Sequence, residues 1–499
     1  MNNSIQHFQK NGIPNLEKIT ETFMSHPTMT AEFIYGVKDV FLKTALEYIG
    51  DVLTEADKSF RRSKRRMAEW VVVRTDTATK TTHIGEISYE KTLFKNKTTG
   101  ERKYLVDVFF GFEPHDRLTE DALAEMFKEA VETSYRRGGQ AASILSWVSK
   151  ETVKDHLHKL EFPEEMGTPL PLKKRTVEYL FIEADEDHIH LQFKFRKGDL
   201  RANKLKRKLN SAIEKLVYIH EGIKREVTKS KRRMLINPHY LSGAYEGEKN
   251  KDLWDMVYEY IDSHYEIDKI KKIYFSSDGG EWIKVGMKRL HGLTHVLDEF
   301  HLRKRLLEMT RHVDGNFETS DRVMLHALLD TIRRDTKKDF ESYVDFLLFK
   351  AKENESIKRR VRDGADYILN NWMAAKTRLA KRDKVPGSST EGHVSHVLSS
   401  RMSTQPLGWS RRGADQMAHL RAYYWNKGNM LELVRYQKTV QQQEMPKAAG
   451  AENDPISAAK MIASEHLDVP DWAGNYERMQ VTVSNSVKKA FYLATLRVL

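Results

Sequence analysis

Residues 177–195 read VEYLFIEADEDHIHLQFKF, which is two apolar runs separated by a short acidic stretch. The first run, 177–184, predicts a buried strand, and the second, 188–195, alternates apolar and polar residues as a half-buried strand does. Asp185 directly follows the first strand. An acid at this place is a common turn residue, but it can also present a carboxylate at the end of a sheet. Asp187 competes with Asp185 for that role.

The chain that follows this stretch predicts more strands and then helices that alternate with strands. The expected elements are strands within 215–227 and 232–241, a helix over 253–265, a strand within 271–283, and a strand that becomes a helix over 291–309. This succession of strands, followed by helices that alternate with strands, is interpreted as a ribonuclease-H-like mixed sheet with helices packed on it, whose order is β-β-β-α-β-α-β. The predicted fold class is therefore α/β.

Asp278 is a second candidate for a carboxylate at the end of a strand. It follows the apolar run IYF in SSDGGEWIK and precedes two glycines. An acid at the carboxyl end of a strand is well placed for a functional site. An Asp-Gly pair is also a common turn, so this motif alone leaves both interpretations open.

Glu391 opens EGHVSHVLSSRM, a predicted helix over 391–402 that follows the break KVPGSST at 384–390. The spacing Ser388-x-x-Glu391 is that of a capping box, which would make the acid a helix cap. Glu391 also shares a helix face with Val394 and Leu398. If that face packs on the sheet, the carboxylate turns inward, where it is costly unless it is paired or bound to a metal.

The pattern between Asp278 and Glu391 is helical over a length that such a sheet does not need, which predicts an all-helical insertion. The expected division of the chain is an N-terminal helical region at 1–66, a small β unit at 67–113 with a hairpin turn at 96–100, a helix-turn-helix region at 114–162, the first part of a catalytic core at 176–311, the helical insertion at 312–386, the rest of the core at 387–440, and a linker with a C-terminal tail at 441–499.

The helix-turn-helix prediction rests on QAASILSWVSKETVKDHLHKL, residues 140–160. A short helix, a tight turn and a second helix with Ser149 as N-cap give this motif its expected shape. Lys150 and Lys154 would face outward at the start of the second helix, where a reader of the DNA major groove needs polar groups. The same periodicity also fits an ordinary helical hairpin.

The 499-residue chain carries a net charge of +12 and has a pI of about 9.3. The runs RRSKRR at 61–66 and KREVTKSKRR at 224–233 do not alternate in sign as solvated helix faces usually do, which favours nucleic acid as the partner. The absence of cysteine excludes disulfides and thiolate zinc sites. Since neither a membrane span nor a signal pattern is visible, we expect a cytoplasmic, nucleoid-associated protein without a membrane partner.

Four motifs carry a resemblance to a known group: IEADEDH, SSDGGEWIK, LDEFHLRKRL and EGHVSHVLSSRMSTQPLGWSRRGADQMAHLRAY. Together they resemble the Lre-type insertion-sequence transposases of bacteria, which are similar to the Mutator-like transposases. Such proteins share an Asp–Asp–Glu triad, an Asp/Cys-x-x-His motif after the second Asp, and a helical insertion before the Glu. The resemblance runs from about residue 35 to 440. It implies that Asp185, Asp278 and Glu391 are the catalytic residues and the metal ligands.

The resemblance also implies a supporting role for His301, which with Asp298 forms the Asp-x-x-His motif. Further candidates come from the residues themselves. Arg303, Lys304 and Arg305 follow that motif and could hold DNA phosphates. Trp409, in QPLGWSRRG, could either pack in the core or stack on an unpaired base.

The sequence thus predicts a DDE transposase that binds the terminal inverted repeats of an insertion sequence and cuts and joins DNA. Two Mg²⁺ ions, for which Mn²⁺ can substitute, would bind the attacking and leaving oxygens. The partners would be double-stranded DNA, both terminal repeats and target, and a second copy of the chain, since two ends must be joined. The alternatives are a non-catalytic helix-turn-helix regulator and a structure-specific nuclease of the same fold.

Overall fold

The structure is a computed structural model that describes residues 2–192, 211–290, 292–315, 318–380, 385, 389–404 and 408–444. The end of the strand predicted at 188–195, the residue Ser388 and most of the tail predicted at 441–499 lie outside these residues. The described chain forms two compact units. One comprises residues 2–130, 134–153 and 438–444, and the other residues 131–133 and 154–437. Within the described residues, no helix combines the length and the apolar character that crossing a membrane requires.

The first unit packs a long helix on a three-stranded antiparallel sheet. Leu53 and Phe60 of the helix meet Ile87, Tyr89 and Phe94 of the sheet in one buried cluster. The elements are α1 (Asn2–His7), a π-helical turn (Phe8–Gly12), α2 (Ile13–Ser25), α3 (Thr30–Arg62), α4 (Lys64–Glu69), β1 (Trp70–Thr81), β2 (Glu86–Asn96), β3 (Arg102–Tyr104) and α5 (Leu105–Phe110). The sheet order is β1-β2-β3.

One element of this unit differs from its prediction. The run KYLVDVFFGF reads as a strand, but only its first residues pair with β2, and Leu105–Phe110 form α5. Leu105 and Val106 join the core under α3, and Gly111 ends the helix in a left-handed conformation at φ 65°. A short apolar run fits a strand and a helix equally well, so tertiary packing decides between them.

The helix-turn-helix region contains α6 (Glu120–Ala130), α7 (Tyr135–Ala141) and α8 (Lys150–Leu157). Ser149 caps α8 as expected, because its hydroxyl accepts the N–H of Thr152 at 3.1 Å. The pair Gly138 and Gly139 predicts the end of the preceding helix, but both glycines lie inside α7. A Cβ at Gly139 would be 2.1 Å from the carbonyl oxygen of Val148, so the glycine allows the turn to pack closely on the helix.

The second unit is built on a five-stranded mixed sheet with the order β10-β9-β4-β5-β8. The strands β4 and β5, and β5 and β8, are antiparallel, whereas β4 and β9, and β9 and β10, are parallel. The strands of this unit are β4 (Tyr179–His190), β5 (Ser211–His220), β6 (Ile223–Arg225), β7 (Arg233–Leu235), β8 (His239–Gly243), β9 (Lys272–Ser277) and β10 (Leu293–Leu297). The predicted α/β class and mixed sheet are confirmed.

The strand β4 differs from the prediction, which divides this stretch into two strands at 177–184 and 188–195. It is one continuous strand, and Asp185 lies in its middle rather than at its end. The reason is the pairing partner on one side, since β5 continues past Asp185 as far as the pair His190↔Ser211. On the other side the parallel partner β9 ends at the pair Ala184↔Ser277. Asp185 is therefore at a strand end with respect to one neighbour only.

Helices surround the sheet and form the insertion. The sheet-associated helices are α9 (Asn250–His264), α10 (Glu281–Arg289), α11 (Glu299–Thr310), α16 (Thr390–Val394) with a π-helical turn (Ser395–Ser399) and α17 (Ser400–Met402), α18 (Arg411–Trp425) and α19 (Met430–Glu444), with short 3₁₀ turns at Gly247–Lys249 and Ile267–Lys269. The insertion contains α12 (Glu318–Arg334), α13 (Lys337–Lys350), α14 (Glu355–Asn370) and α15 (Trp372–Ala380). Its apolar core is continuous with Leu302, Leu306 and Met309 of α11, so the insertion packs on the helix that follows β10.

Candidate carboxylate site at the end of the sheet

Asp185 and Asp278 lie side by side where β9 ends. The last parallel pair between β4 and β9 is Ala184↔Ser277, and each aspartate is the next residue in the chain. Because successive side chains alternate between the two faces of a sheet, the equivalent register places both carboxylates on the same face. The strands β9 and β10 end together at Leu297↔Ser277, which places Asp298 at the same edge.

The electrostatics of Asp185 reflect this crowding. Burial raises the pKa of the Asp185 carboxyl to about 7, and the nearby carboxylates of Asp278 and Asp298 contribute to this rise, against a lowering by the backbone N–H of Glu186 and by His301. Like charges that share a site disfavour ionisation of one another. Carboxylate oxygens are the ligands that Mg²⁺ and Mn²⁺ prefer. A divalent cation would also offset the repulsion between the two aspartates, so the pair fits such an ion.

Asp298 and His301 form a compact dyad at the start of α11. Asp298 is the N-cap of this helix, and its carboxylate accepts both the backbone N–H and the Nδ1–H of His301 at 3.0 Å. The hydrogen bond that His301 donates to Asp298 raises the pKa of His301, and burial lowers this pKa. The negative charges of Asp298, Asp185 and Asp278 raise it further. The dyad therefore favours a protonated imidazole beside the two aspartates.

The helical insertion supports the turn that follows Asp278. The hydroxyl of Tyr367 in α14 donates to the backbone carbonyl of Asp278 at 2.8 Å. Gly279 has φ 87°, and a Cβ there would be 2.6 Å from Oδ1 of Asn371. Neither Tyr367 nor Asn371 is among the predicted site residues, because nothing in the local pattern DYILNN distinguishes them from other residues on an amphipathic helix.

Glu391 does not face inward as the sequence pattern predicts. Its side chain is exposed, whereas Val394 and Leu398 are buried. The buried residue beside it in the first turn is Thr390, whose hydroxyl donates to the carboxylate of Glu183. In the described part of the chain, no group of three or more histidine, aspartate or glutamate side chains is close enough together to hold a metal ion. The structure thus places Asp185 beside Asp278 and pairs Asp298 with His301, but it does not bring the carboxylate of Glu391 to them.

Glu183 connects the sheet to the helix that carries Glu391, although it is not among the predicted site residues. It is only 3% exposed. Its carboxylate accepts hydrogen bonds from the hydroxyl of Tyr218 at 2.7 Å, Nε2 of His220 at 3.1 Å, the backbone N–H of Ser389 at 3.1 Å and the hydroxyl of Thr390 at 2.6 Å. Burial alone would raise the pKa of Glu183, but hydrogen bonds from His220, Thr390 and Tyr218 lower it below its ordinary value. The only local signal is an acid inside the apolar run FIEA.

Asp187, the rival of Asp185, has a different environment. It accepts a hydrogen bond from the hydroxyl of Ser403 at 2.8 Å and lies opposite Glu214 in the register of β4 and β5. Glu214 is fully buried, and neither of its oxygens has a hydrogen-bond partner within the described residues. Burial raises the pKa of Glu214 well above its usual range, and Asp415, Glu246 and Asp187 add to this, against a lowering by Lys215.

We therefore expect Glu214→Gln to change the pH dependence of stability. As the pH rises above the ordinary pKa of a glutamate, the unfolded state loses its proton while folded Glu214 keeps it, so wild-type stability falls with rising pH. Glutamine cannot ionise and should abolish this fall. The melting temperature of the variant should match the wild type near pH 4 and exceed it at pH 8, by about 2–4 °C for each kcal/mol of relief. The matched control is Glu248→Gln, which changes an exposed acid. Parallel pH profiles for wild type and Glu214→Gln would contradict the expectation.

The remaining predicted residues are paired or buried. Trp409 is 5% exposed, and its indole N–H donates to the carbonyl of Met402 at 2.9 Å, so it is a core residue. Each predicted DNA-binding cation lies beside a neighbour on its own helix: Arg303 is 2.9 Å from Glu299, Arg305 is 2.9 Å from Glu308, Lys304 is 5.8 Å from the ring of Phe300, Lys150 is 3.7 Å from Glu151, and Lys154 is 3.0 Å from Asp155.

Comparison with known proteins shows the family. A family profile described as "Uncharacterised protein family (UPF0236)" matches residues 26–440. UPF0236 protein TTE2489 of Caldanaerobacter subterraneus subsp. tengcongensis is 35% identical over 430 residues, which cover 85% of this chain and 86% of that protein. Another UPF0236 protein of this organism, whose name joins eleven designations from TTE0033 to TTE2212, is 34% identical over 416 residues, covering 83% and 82%. Among solved structures, the Drosophila P element transposase strand transfer complex aligns with 72% of this chain and 95% of that chain, at 9% identity and a TM-score of 0.23. The chain belongs to the UPF0236 family.

Proposed function

We propose that the protein is a DDE transposase, an enzyme that binds the ends of a mobile DNA element and cuts and joins DNA strands with divalent metal ions. The observation that carries this proposal is the pair of carboxylates that directly follow the last register pair of the parallel strands β4 and β9, Asp185 after Ala184 and Asp278 after Ser277. Two-metal phosphoryl transfer needs carboxylates that converge on one point. In the proposal, Asp185, Asp278 and Glu391 are the metal ligands.

The topology of the sheet supports a ribonuclease-H-like core. Across the sheet the strands lie in the order β8-β5-β4-β9-β10. Numbered by their order in the chain, this is 3-2-1-4-5, and the second strand, β5, is antiparallel to both of its neighbours. Asp185 then lies on the first of these five strands, and Asp278 directly follows the fourth. The helices α12 to α15 separate the second aspartate from Glu391, as a Mutator-like organisation requires.

The residues around the pair have definable tasks. A bound divalent ion supplies charge stabilisation for the attacking and leaving oxygens of a phosphodiester. Asp298 holds the imidazole of His301 in one orientation through Nδ1, which directs Nε2 away from Asp298. A protonated imidazole there would offset the negative charge of the aspartates and could donate to a DNA phosphate. Tyr367 holds the turn that presents Asp278 through a hydrogen bond to its carbonyl, and Asn371 packs closely against Gly279 of that turn.

Glu391 must change its surroundings to complete the triad. Its side chain is exposed on the first turn of α16, and α16 packs on β4, the strand that carries Asp185. An exposed glutamate has rotamers available to it, so binding of DNA and metal can draw the carboxylate toward the aspartates without refolding of the helix. The proposed partners are double-stranded DNA and a second copy of the chain, since two element ends must be joined.

The name of one relative, the UPF0236 protein with eleven designations, agrees with a gene carried by a mobile element. The name joins eleven designations within one organism, as that of a protein encoded by several copies of a gene would. The runner-up functions give no such expectation: a helix-turn-helix regulator or a structure-specific nuclease does not multiply its own gene.

The test is a strand-transfer assay with purified protein, duplex DNA that ends in the repeats flanking the gene, and Mg²⁺, Mn²⁺ or EDTA. We expect cleavage at the repeat end and joined products with either metal, and neither with EDTA. Cleavage of branched DNA without joined products would favour the nuclease. Binding to the repeats with no cleavage under either metal would favour the regulator, and both results would overturn the proposal.

A further inference from the structure

A hairpin between β5 and β8 leaves the five-stranded sheet as a separate two-stranded ribbon. Its strands are β6 and β7, which pair antiparallel with the register Ile223↔Leu235, Lys224↔Met234 and Arg225↔Arg233. We call residues 223–235 the basic ribbon. It contains the run KREVTKSKRR, one of the two clusters of positive charge in the sequence.

Backbone hydrogen bonds join the basic ribbon to the sheet and run along its length. At the base, Glu221 N–H donates to Ile236 C=O at 3.0 Å, and Ile236 N–H donates to Gly222 C=O at 2.9 Å. Beyond the three register pairs, Glu226 N–H donates to Arg232 C=O at 3.0 Å, and Ser230 N–H donates to Val227 C=O at 2.9 Å in the turn. The ribbon is therefore a paired arm about 20 Å long rather than an irregular loop.

The charge of the basic ribbon is not balanced within the protein. Its one acid is Glu226, against six cations: Lys224, Arg225, Lys229, Lys231, Arg232 and Arg233. All six are exposed. Within the described chain, the salt bridge found for this set is Arg232–Glu226 at 3.8 Å. A surface kept for solubility alone usually mixes the two signs.

One pair makes the imbalance costly. Arg225 and Arg233 are directly opposite each other in the register, and like charges at directly opposite positions destabilise a two-stranded pair. A ribbon that needed only to fold would gain from a neutral or acidic residue at one of these positions. The pair therefore indicates an anionic partner outside the chain.

We propose that the basic ribbon docks in the major groove of double-stranded DNA. The groove is about 12 Å wide and admits a two-stranded β-ribbon, and cations on both faces of such a ribbon can reach the phosphates on both walls. Along β5 the chain passes Leu216, which is opposite Asp185, and reaches His220, which is opposite Phe181. The ribbon thus leaves the end of the sheet that is remote from the aspartates, and it holds DNA away from the bond that is cut. This inference rests on the proposed function only in taking DNA as the substrate.

The test measures DNA binding in EDTA, so that it does not depend on catalysis. A fluorescent DNA duplex is titrated at several salt concentrations with wild type, with Arg225→Gln/Arg233→Gln, and with Lys229→Gln/Lys231→Gln in the turn. The matched control is Lys337→Gln/Lys338→Gln, which removes two exposed cations of the insertion. An RNA duplex of the same sequence is the second ligand, because the major groove of A-form RNA is too narrow for a ribbon.

We expect each ribbon variant to bind DNA more weakly and to lower the slope of log affinity against log salt by about 2, one unit for each phosphate that the variant no longer neutralises. The control should match the wild type on DNA, and all proteins should bind the RNA duplex alike. The Arg225→Gln/Arg233→Gln variant should melt no lower than wild type, because it relieves a like-charge pair. DNA affinities equal to the control would overturn the proposal, and an equal loss on RNA would overturn the placement in the groove. Failure of the strand-transfer assay with these binding results intact would reject only the proposed catalysis.

Discussion

Asp278→Asn is expected to abolish metal-dependent cleavage of DNA while leaving the fold intact. A ligand of the catalytic metals supports several kcal/mol of transition-state stabilisation, which at about 1.4 kcal/mol per tenfold corresponds to a loss of about 10³-fold or more. Asparagine retains Oδ1, which in the wild type accepts the N–H of Gly280 at 3.0 Å. Tyr367 binds the backbone carbonyl of Asp278 and not its side chain, so the turn should keep its conformation.

The matched control for this variant is Asp187→Asn. Asp187 lies on the same face of β4 as Asp185. Its carboxylate accepts a hydrogen bond from the hydroxyl of Ser403, and it lies beyond the last residue pair between β4 and β9. The rate of cleavage should fall less than tenfold in the control and by about 10³-fold in Asp278→Asn, with equal melting temperatures. If Asp278→Asn cleaved as fast as wild type, or Asp187→Asn lost as much as Asp278→Asn, the assigned pair of aspartates would be wrong.

Glu183→Ala is expected to have the largest effect on stability. The substitution leaves the donors of Tyr218, His220 and Thr390 buried without their acceptor. Removal of one partner from a buried, hydrogen-bonded charge costs about 3–5 kcal/mol. Since Glu183 also binds the backbone N–H of Ser389, the loss should be accompanied by loosening of α16. Denaturant unfolding followed by circular dichroism measures the first effect, and hydrogen exchange at Ser389 and Thr390 measures the second.

The control for this prediction is Glu178→Ala, one residue before the same strand. Glu178 is an exposed acid that pairs with Lys271 at 2.7 Å, and exposed pairs of this kind contribute about 0–1 kcal/mol. The free energy of unfolding should therefore separate the two variants by at least about 2 kcal/mol. Equal unfolding curves would show that Glu183 does not contribute the stability that its hydrogen bonds indicate.

Local sequence patterns predict the class of fold and the position of the aspartates because both depend on short-range regularities. Alternation and apolar runs locate β4, β9 and β10, and the register of these strands then places Asp185 and Asp278 together. The helix α5 reads as a strand because the apolar run LVDVFF satisfies both patterns. Gly139 reads as a helix end because its close approach to Val148 is a tertiary contact.

The rest of the site depends on contacts that a local pattern cannot contain. Glu183 is bonded to Ser389, 206 residues away, and Tyr367 to Asp278, 89 residues away. The orientation of Glu391 depends on which residue of its turn meets the sheet, and in the structure that residue is Thr390, whose hydroxyl donates to the carboxylate of Glu183. The local sequence around Glu183 or around Thr390 does not predict their hydrogen bond, because the two residues meet only in the folded structure.

The long separation between Glu183 and Ser389 also orders events on the ribosome. At about 5–20 residues per second, roughly 10–40 s pass between synthesis of the strand acid and synthesis of the helix that covers it. Throughout that interval the Glu183 carboxylate of β4 lacks the hydrogen bonds from Ser389 and Thr390, so the nascent sheet is less stable than the finished one. The Glu391 helix is consequently docked late, and chains released early lack both the helix and the stability that its docking provides.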